Sequence, residues 1–461
     1  MATTTVSIGS NQSIDTETPA TSSGSGPSYT VTFGTTPAGI HVGDIGFMDT
    51  EDAGGGNASD YTFLVTGISG ANITLKYLTD TGGGGDASPL GLYDGSGSSG
   101  SPNQAAMVFK RAFSTITLFE AMIDDASPDY WGSSDDVVGE LHADSNFTDA
   151  TVNFDNKQSL SSVTLSVYED DRHDGTAESG ALWKPTANSG HNQGILRIDI
   201  DNMTAEWLDI SLDSLDSRDT NKAIVLVGTN DDNIIRNNLI HDKGGNPGGT
   251  GPFMIHLLAA GASSDTLTIQ NNIIYNVVET SNDNAAAMLL NAWSGTVNVY
   301  NNTIYNIQSE GGSKVAIGIR SAHTSGSTSN VKNNIVAKLV SAASNGERAF
   351  EDGIANGSAG TFNEAYNLSD DTSATAYDAR GTGSLANKTL SEIDFVSTTG
   401  GSEDLHIDEN SVCIGAGVDL GTTNGVNIDI DGETMSGDWS IGADWVSAGA
   451  TGNPAFLMFV D

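Results

Sequence analysis

Residues 234–242 read IIRNNLIHD, and this stretch decides the fold because its pattern recurs. It returns as TIQNNIIYN at 268–276, NVYNNTIYN at 298–306, NVKNNIVAK at 330–338 and, in degenerate form, GTFNEAYNL at 360–368. The first Asn of the motif is Asn237, Asn271, Asn301, Asn333 and Asn363, at intervals of 34, 30, 32 and 30 residues. Repeats of this length are typical of solenoid proteins.

The residues around each Asn-Asn pair predict strands that meet at a corner. The residue two places before each pair is apolar in all but the last motif. The residue directly before the pair is mostly polar. This alternation indicates a strand with one buried face. A second apolar run begins 14 to 18 residues before each of the first four pairs. Asn suits the corner because it tolerates left-handed backbone and can form hydrogen-bonded ladders. Each repeat is therefore one coil of a stack, and the chain is predicted to be all-β with a right-handed parallel β-helix.

The rest of the chain predicts three further parts. Residues 1–100 contain alternating runs such as SYTVTFGTT and ANITLKYLTD, which indicate a small antiparallel β domain that ends in the Gly- and Ser-rich runs at 81–89 and 94–104. Residues 101–149 predict a linker and a helix that caps the first coil, with Thr117 and Glu120 as a capping box. The parallel β-helix is expected at 150–388 and its closing segment at 389–461.

The composition restricts the partners. With 59 acidic and 18 basic residues the formal charge is −41, which disfavours nucleic acid and anionic membranes as partners. No apolar stretch approaches the ~20 residues of a membrane span, so no membrane insertion is expected. Cys413 is the only cysteine, so the chain has no internal disulfide and no multi-cysteine zinc site. The stretch MATTTVSIGS lacks the basic and apolar regions of a secretory signal.

The C-terminal part carries a resemblance to a known superfamily. It reads DLHIDENSVCIGAGVDLG at 404–421 and NIDIDGETMSGDWSIGADW at 427–445. Together with the Asn-Asn motifs, these segments resemble the pectate-lyase-like β-helix superfamily over about 150–445. That superfamily includes polysaccharide lyases, glycoside hydrolases, adhesins and phage tailspikes. The resemblance implies carboxylate chemistry on polysaccharides where a member is an enzyme, with two carboxyl groups for hydrolysis or acid-bound Ca²⁺ and a base for elimination.

Acidic side chains crowd two early coils and are the candidate catalytic residues. These are Asp199, Asp201, Glu206, Asp209, Asp231 and Asp232, with Arg197, Arg236, His241 and Asp242 nearby. In so acidic a chain such clusters arise by chance, so solvated turns explain them better than catalysis does. His173 with Asp174 is a further acid–base candidate, whereas His256 in an apolar run indicates a wall residue. No cofactor is expected. The segment from Asp429 does not have the ligand spacing of an EF-hand. Binding of a divalent cation such as calcium remains an open alternative.

Three functions are compatible with these features. The first is a structural virion surface protein of a tailed bacteriophage, resembling tailspikes, head fibres or capsid decoration proteins. It would attach to other virion proteins through the N-terminal domain, form a homo-oligomer such as a trimer, and contact host-surface polysaccharide. A virion location would require neither a signal peptide nor disulfides. The first alternative is a polysaccharide lyase or glycoside hydrolase of the superfamily. The second is a bacterial adhesin on the extracellular surface.

Overall fold

The structure is a computed structural model and describes 2–11, 13–17, 19–25, 28–50, 59–80, 107–125, 130–186, 194–213, 222–228, 231–244, 251–258, 265–280, 283–291, 295–322, 326–344, 346–352, 360–370 and 378–447. The chain forms two compact units. The first unit is Met1–Ser145 with Asn156–Asp171, and the second unit is Asn146–Asp155 with Arg172–Asp461. The Gly- and Ser-rich linker predicted at 81–89 and 94–104 lies outside the described residues.

The described residues are almost entirely β, with short strands throughout. The elements up to η1 are β1 (Thr3–Ile8), β2 (Asp15–Glu17), β3 (Pro19–Ser25), β4 (Ser28–Phe33), β5 (Ile45–Thr50), β6 (Ser59–Ser69), β7 (Asn72–Asp80), β8 (Met107–Lys110), α1 (Ile116–Ile123), β9 (Asp136–Leu141), β10 (Val152–Phe154), β11 (Ser162–Val167) and the 3₁₀ helix η1 (Glu169–Asp171).

The elements that follow belong to the second unit. They are β12 (Leu182–Trp183), β13 (Leu196–Ile198), β14 (Met203–Glu206), β15 (Asp209–Ser211), β16 (Ile224–Leu226), β17 (Asn233–Arg236), β18 (Leu239–Lys243), β19 (Phe253–Leu257), β20 (Thr266–Gln270), β21 (Ile273–Glu279), β22 (Ala285–Asn291), β23 (Thr296–Tyr300), β24 (Thr303–Ser309), β25 (Ala316–Ala322), β26 (Thr328–Lys332), β27 (Ile335–Ser341), β28 (Glu347–Asp352), β29 (Thr361–Ala365), β30 (Leu368–Ser369), α2 (Leu390–Ile393), β31 (Phe395–Thr399), β32 (Ser402–Ile407) and the 3₁₀ helix η2 (Thr423–Gly425). Neither α-helix of the described chain has the length and apolar character needed to cross a bilayer.

The first unit combines two kinds of sheet. Seven antiparallel strands pair in the order β2-β8-β5-β6-β7-β4-β3, and their buried face carries aromatic residues such as Phe63 and Phe109. β1, β9 and β11 instead pair in parallel, with Val6 opposite Gly139. The expected antiparallel domain at 1–100 is therefore wrong for β1. Its partner strand lies more than a hundred residues later, and no local pattern marks such a pairing.

Helix α1 packs on β9 within the first unit. The Phe119 ring fills the space above Gly139, where an added Cβ would lie 2.7 Å from the ring. The helix begins one residue after Thr115, whose hydroxyl accepts a hydrogen bond from the Leu118 amide at 3.1 Å. The predicted capping box of Thr117 and Glu120 is therefore wrong. Thr117 lies inside the helix, and the position that would complete a box with Thr115 is occupied by leucine.

The second unit is a parallel β-solenoid, as predicted from the repeats. Each coil contributes a strand to each of three parallel sheets, which we call P1, P2 and P3. Within this unit P1 has the order β14-β17-β20-β23-β26-β29, P2 the order β10-β13-β16-β19-β22-β25-β28, and P3 the order β12-β15-β18-β21-β24-β27-β30. Aliphatic residues stack inside in register, for example Ile240 on Ile274 and Ile274 on Ile304. The all-β fold with a parallel solenoid and a small antiparallel sheet is thus confirmed.

The corner between P1 and P3 is formed by the Asn-Asn pairs, and we call it the Asn corner. The first residue of each corner has left-handed backbone, with φ between 52° and 58°, at Asn237, Asn271, Asn301, Asn333 and Tyr366. The second residues form a buried ladder in which each Nδ2 donates to the next Oδ1 at 2.9 to 3.0 Å, along Asn238, Asn272, Asn302, Asn334 and Asn367. The corner is therefore hydrogen-bonded from coil to coil.

The corner assignment of Asn363 is wrong. Asn363 lies within strand β29, opposite Asn330 of the neighbouring P1 strand, and its exposed Nδ2 donates to that residue's Oδ1 at 2.9 Å. Tyr366 and Asn367 occupy the corner instead. The last repeat has only one Asn at the corner, so matching by the first Asn shifts the alignment.

The C-terminal part of the chain lies along the side of the solenoid. Side chains on the outer face of P3, including Leu239, Ile273 and Ile335, share a buried cluster with Ile407 and Ile441. The segment 418–429, which we call the strap, follows the Asn corner. The first Asn of four successive corners donates to a strap carbonyl: Asn333 to Val418 at 2.8 Å, Asn301 to Val426 at 3.0 Å, Asn271 to Ile428 and Asn237 to Asp429.

The domain boundaries predicted at 100, 149 and 388 stay predictions.

Candidate functional site

A pocket of about 460 Å³ opens on the outer face of P3. Its walls come from three parts of the second unit: the loop at 176–178, the strands β18 and β21, and the β31–β32 hairpin at 401–404. The strands contribute His241, Asp242 and Tyr275. We call this cavity the lateral pocket. Because two of its walls are non-repetitive segments, it occurs at one level of an otherwise repetitive surface.

His241 is fixed at the base of the lateral pocket by two carboxylates. Its Nε2 lies 2.8 Å from Asp209 Oδ1, and its Nδ1 lies 2.8 Å from Asp242 Oδ2. Burial opposes the charged imidazole, but the hydrogen bonds to these carboxylates raise the pKa of His241 to about 9. The ring stacks on Tyr275 with an interplanar angle of 10°. His241 is thus a charged, doubly bonded residue at neutral pH and not a free general base.

A row of bends positions the polar groups around the pocket. Asp242, Asn276 and Asn306 all have left-handed backbone and stand at equivalent points of successive P3 strands. Asn276 Nδ2 donates to Asp242 Oδ1 at 3.0 Å and to Glu403 Oε1 at 2.9 Å, which ties the β31–β32 hairpin to the solenoid. Glu403 Oε2 also accepts from the Gly401 amide at 2.8 Å. The hairpin wall is therefore held by side chains of the coil repeats.

The pocket is acidic and can accept hydrogen bonds from hydroxyl groups. Glu178, Asp242, Glu403 and Asp404 line it, and Glu178 is largely exposed. Burial raises the pKa of Tyr275, so its hydroxyl stays protonated over the whole neutral range. Carboxylate acceptors beside an aromatic ring suit a neutral sugar, whose hydroxyl groups donate. An anionic ligand would be repelled.

The candidate catalytic acids lie mostly outside the pocket and are held by structural contacts. Asp201 and Asp231 accept from backbone amides of the following coil at 3.0 and 3.1 Å. Asp199 pairs with Arg197 at 3.4 Å. Glu206 is buried against Arg236, with Glu206 Oε2 2.6 Å from the guanidinium. The contacts of Asp201, Asp231 and Glu206 join neighbouring coils, whereas the Asp199–Arg197 pair is local.

Two of the six candidates differ from that group. Asp209 is buried behind the pocket, where it contacts His241 and accepts from the Glu178 amide at 2.7 Å. Asp232 is exposed in left-handed backbone, and partial desolvation together with the charges of Asp231 and Asp201 raises its pKa. Of the six, Asp209 alone contacts the groups that line the lateral pocket.

The other two histidines considered in the sequence, His173 and His256, have structural contacts. His173 Nε2 is bound to the Asn237 carbonyl at 3.0 Å, while Asp174 accepts from Thr176 Oγ1 at 2.5 Å, so the two do not form an acid–base pair. His256 lies in strand β19 on the outer face of P2 and contacts Phe253 edge-on. Burial lowers the pKa of His256 to about 3, consistent with a neutral wall residue.

A second cluster of titratable groups is centred on His406 of strand β32. His406 Nδ1 lies 2.5 Å from Asp404 Oδ1, and His406 Nε2 lies 2.9 Å from Asp431 Oδ1. A carboxylate oxygen of Asp444 lies within 4.8 Å of ligand atoms of His406 and Asp431. Asp444 also accepts a hydrogen bond from the Ile407 amide at 2.8 Å. Burial raises the pKa of Asp429 to about 7, and the charges of Asp431 and Asp444 add to this effect.

Sequence reasoning missed the acidic and aromatic pocket residues Glu178, Tyr275, Glu403 and Asp404. Tyr275 could have been found from His241, because the two residues share one column three places after the second Asn of the motif. Glu178, Glu403 and Asp404 lie on non-repetitive segments more than 200 residues apart, and no spacing links them to the coils.

No protein-family model matches the chain, and no curated protein matches it. Among solved structures, the tailspike protein gp49 from Pseudomonas phage LKA1 is similar at 12% identity over 74% of this chain, with a TM-score of 0.14. The chain spans 65% of that tailspike's length. At these values the likeness carries no argument, and the solenoid fold rests on the strand pairing described above.

Proposed function

We propose that the chain is a structural surface protein of a tailed bacteriophage virion, and that its lateral pocket binds a neutral host-surface glycan. The parallel solenoid is compatible with a virion surface protein. In this proposal the antiparallel sheet of the first unit attaches to other virion proteins. The solenoid forms the exposed part, present as a homo-oligomer such as a trimer.

The lateral pocket is the observation that carries the binding proposal. Its ligand-facing carboxylates are fixed before any ligand arrives, since Asp242 and Glu403 are both tied to Asn276. Such preorganisation lowers the ordering cost of binding. The acidic walls favour a neutral polysaccharide over one rich in uronic acids. The charge of His241 is already neutralised by two carboxylates, which leaves little positive charge for an anionic sugar.

A binding experiment with the full chain tests the glycan. The probes are purified bacterial surface polysaccharides, one set neutral and one set uronate-rich. Glu178→Ala removes an exposed carboxylate acceptor and should weaken binding of a neutral glycan about tenfold. Glu409→Ala, at an exposed site outside the pocket, should leave it unchanged. Preference for the acidic set, or equal binding by both variants, would contradict the pocket assignment.

Immunogold labelling of virus particles tests the virion location, and labelling of free protein only would count against it.

A polysaccharide-cleaving enzyme is the second candidate, because Glu178 and Glu403 line the same cavity. Hydrolysis requires two carboxyl groups that flank the scissile bond. The same polysaccharides, incubated with the chain, would then release new reducing ends, and Glu403→Gln would abolish this release. Binding without release favours the surface-protein proposal.

A further inference from the structure

We propose that His406, Asp431 and Asp444 bind a divalent metal ion, and that this ion is Zn²⁺. One ligand atom from each residue lies within 4.8 Å of the other two. In a tetrahedral zinc site with bonds of about 2.0–2.2 Å, neighbouring ligand atoms are roughly 3.5 Å apart. The three side chains therefore need only small rotations to close on an ion. His406 belongs to strand β32, and none of the three ligands lines the lateral pocket, although Asp404 contacts His406 and also lines that pocket.

The imidazole is oriented as a metal ligand would be. His406 Nδ1 lies 2.5 Å from Asp404 Oδ1, so its Nε2 faces Asp431. In metal sites a histidine ligand commonly donates its other ring N–H to a carboxylate, which fixes the ring and raises the basicity of the ligand nitrogen. Asp404 would have this supporting role here, because it contacts the nitrogen that points away from Asp431.

Backbone contacts hold the Asp444 carboxylate and join the two segments that carry Asp431 and Asp444. Asp444 is 5% exposed, and its Oδ2 accepts from the Ile407 amide at 2.8 Å. The turn that carries Asp431 is joined to the Asp444 segment by a hydrogen bond from the Ile430 amide to the Ala443 carbonyl at 3.0 Å. The two ligand segments are therefore fixed relative to each other without any ion.

A neighbouring carboxylate gives an independent reason to place a cation here. Asp429 is fully buried, and its Oδ1 accepts from the amides of Asp431 and Glu433 at 3.1 and 2.7 Å. Its Oδ2 is buried without a hydrogen-bond partner, and the charges of Asp431 and Asp444 act on this carboxyl group. A buried carboxylate oxygen without a partner is costly. A cation held between Asp431 and Asp444 would compensate this oxygen.

The ligand set favours zinc over calcium. Ca²⁺ takes six to eight oxygen ligands, whereas one imidazole nitrogen with carboxylate oxygens suits Zn²⁺. Mn²⁺ accepts similar ligands but binds more weakly in the usual order of divalent affinities.

Metal titration of the full chain tests the site. After dialysis against a chelator, ZnCl₂, MnCl₂ and CaCl₂ are titrated by calorimetry, and bound metal is counted by mass spectrometry. We expect one Zn²⁺ per chain and a rise in melting temperature. Asp431→Asn should weaken Zn²⁺ binding at least tenfold, while Asp438→Asn, at an exposed position nearby, should not. Circular dichroism checks that both variants fold.

The opposing outcomes are distinct. If the chain binds no zinc at unit stoichiometry, or if both variants bind it equally, the groups form only an ion-pair cluster and the proposal fails. If Ca²⁺ binds more tightly than Zn²⁺ and Asp431→Asn abolishes calcium binding, the assignment to zinc is wrong. A loss of glycan binding with intact zinc binding would affect the proposed function alone.

Discussion

At the residue scale, His241 shows how a polar side chain is stabilised on the outer face of a coil. The imidazole is 1% exposed, and it remains charged because Asp209 and Asp242 contact both ring nitrogens. Removing one partner of such a buried group would leave the other without compensation. His241, Tyr275 and Tyr305 occupy one column of P3, so the same outward position carries a charged ring in one coil and phenol rings in the next two.

The raised pKa of His241 predicts a pH dependence of stability. The folded-state pKa is about 9 against an ordinary value of 6.5, so the stabilisation is fully present below pH 6.5 and is lost as the pH rises through 9. Urea unfolding of the wild type and of His241→Gln should therefore differ most near pH 6.5. By pH 9.5 the difference in unfolding free energy should have decreased by up to about 3 kcal/mol.

The matched control is His173→Gln. Burial lowers the pKa of His173, so this imidazole is neutral throughout the alkaline range. The difference between the wild type and His173→Gln should stay level between about pH 7 and 9.5. A level difference for His241→Gln as well would show that its charge does not stabilise the fold.

At the element scale, the Asn corner has two rows with separate tasks. The inner row, with Asn272 as an example, bonds coil to coil, whereas the outer row, with Asn271, bonds the strap. Asn272 Nδ2 also donates to the Ile235 carbonyl at 3.0 Å, so one side chain joins both neighbouring coils and a P1 strand. Both rows come from a single dipeptide motif.

Removal of one inner Asn should destabilise the solenoid. Asn272→Ala removes the buried acceptor of the Asn238 backbone and side-chain N–H groups, and the donor to Asn302 Oδ1 and the Ile235 carbonyl. We therefore expect a loss of about 3 kcal/mol or more. Asn363→Ala removes an exposed hydrogen bond of the same chemistry and should cost less than about 1 kcal/mol. Urea midpoints followed by circular dichroism compare the two. Equal midpoints would show that the buried ladder adds no stability.

The coil elements could be predicted from the sequence because their signal is local and repeated. The alternation before each Asn pair and the spacing of about thirty residues are enough to identify the strands of P1 and the corners. Prediction failed where a feature occurs once and no repeat supports it, as with the helix cap Thr115. It also failed where the last repeat departs from the motif, as at Asn363. The lateral pocket needed the positions of Glu178 and Glu403, which depend on how the non-repetitive segments pack on P3, and a single sequence does not encode that packing as a pattern.

At the scale of the whole molecule, the net charge of −41 sets a general property. Carboxylates outnumber cationic side chains about threefold, so the net long-range electrostatic interaction within the chain is repulsive. Self-repulsion of like charges destabilises a compact state. When the NaCl concentration rises from about 20 mM to about 300 mM, the Debye length falls from about 20 Å to well below 10 Å, which weakens this repulsion.

Raising NaCl from about 20 mM to about 300 mM should therefore raise the melting temperature. Thermal unfolding followed by circular dichroism, with a chelator present to exclude divalent ions, measures the effect. KCl at the same ionic strength should give the same rise, because screening depends on ionic strength and not on the identity of the ion. A fall in melting temperature would show that the attractive ion pairs outweigh the net repulsion.

The strap limits how this repeat array can change in length. Solenoids ordinarily gain or lose whole repeats, because each coil contacts only its neighbours. Here one non-repetitive segment bonds four successive corners, from Asn333 to Asn237. An extra coil inserted between them would move the outer corners apart by about 4.8 Å, and the strap carbonyls would lose their register with the Asn side chains. The strap thus fixes the number of coils between Asn237 and Asn333. Duplication or deletion of a repeat is compatible with the fold only outside this section of the solenoid.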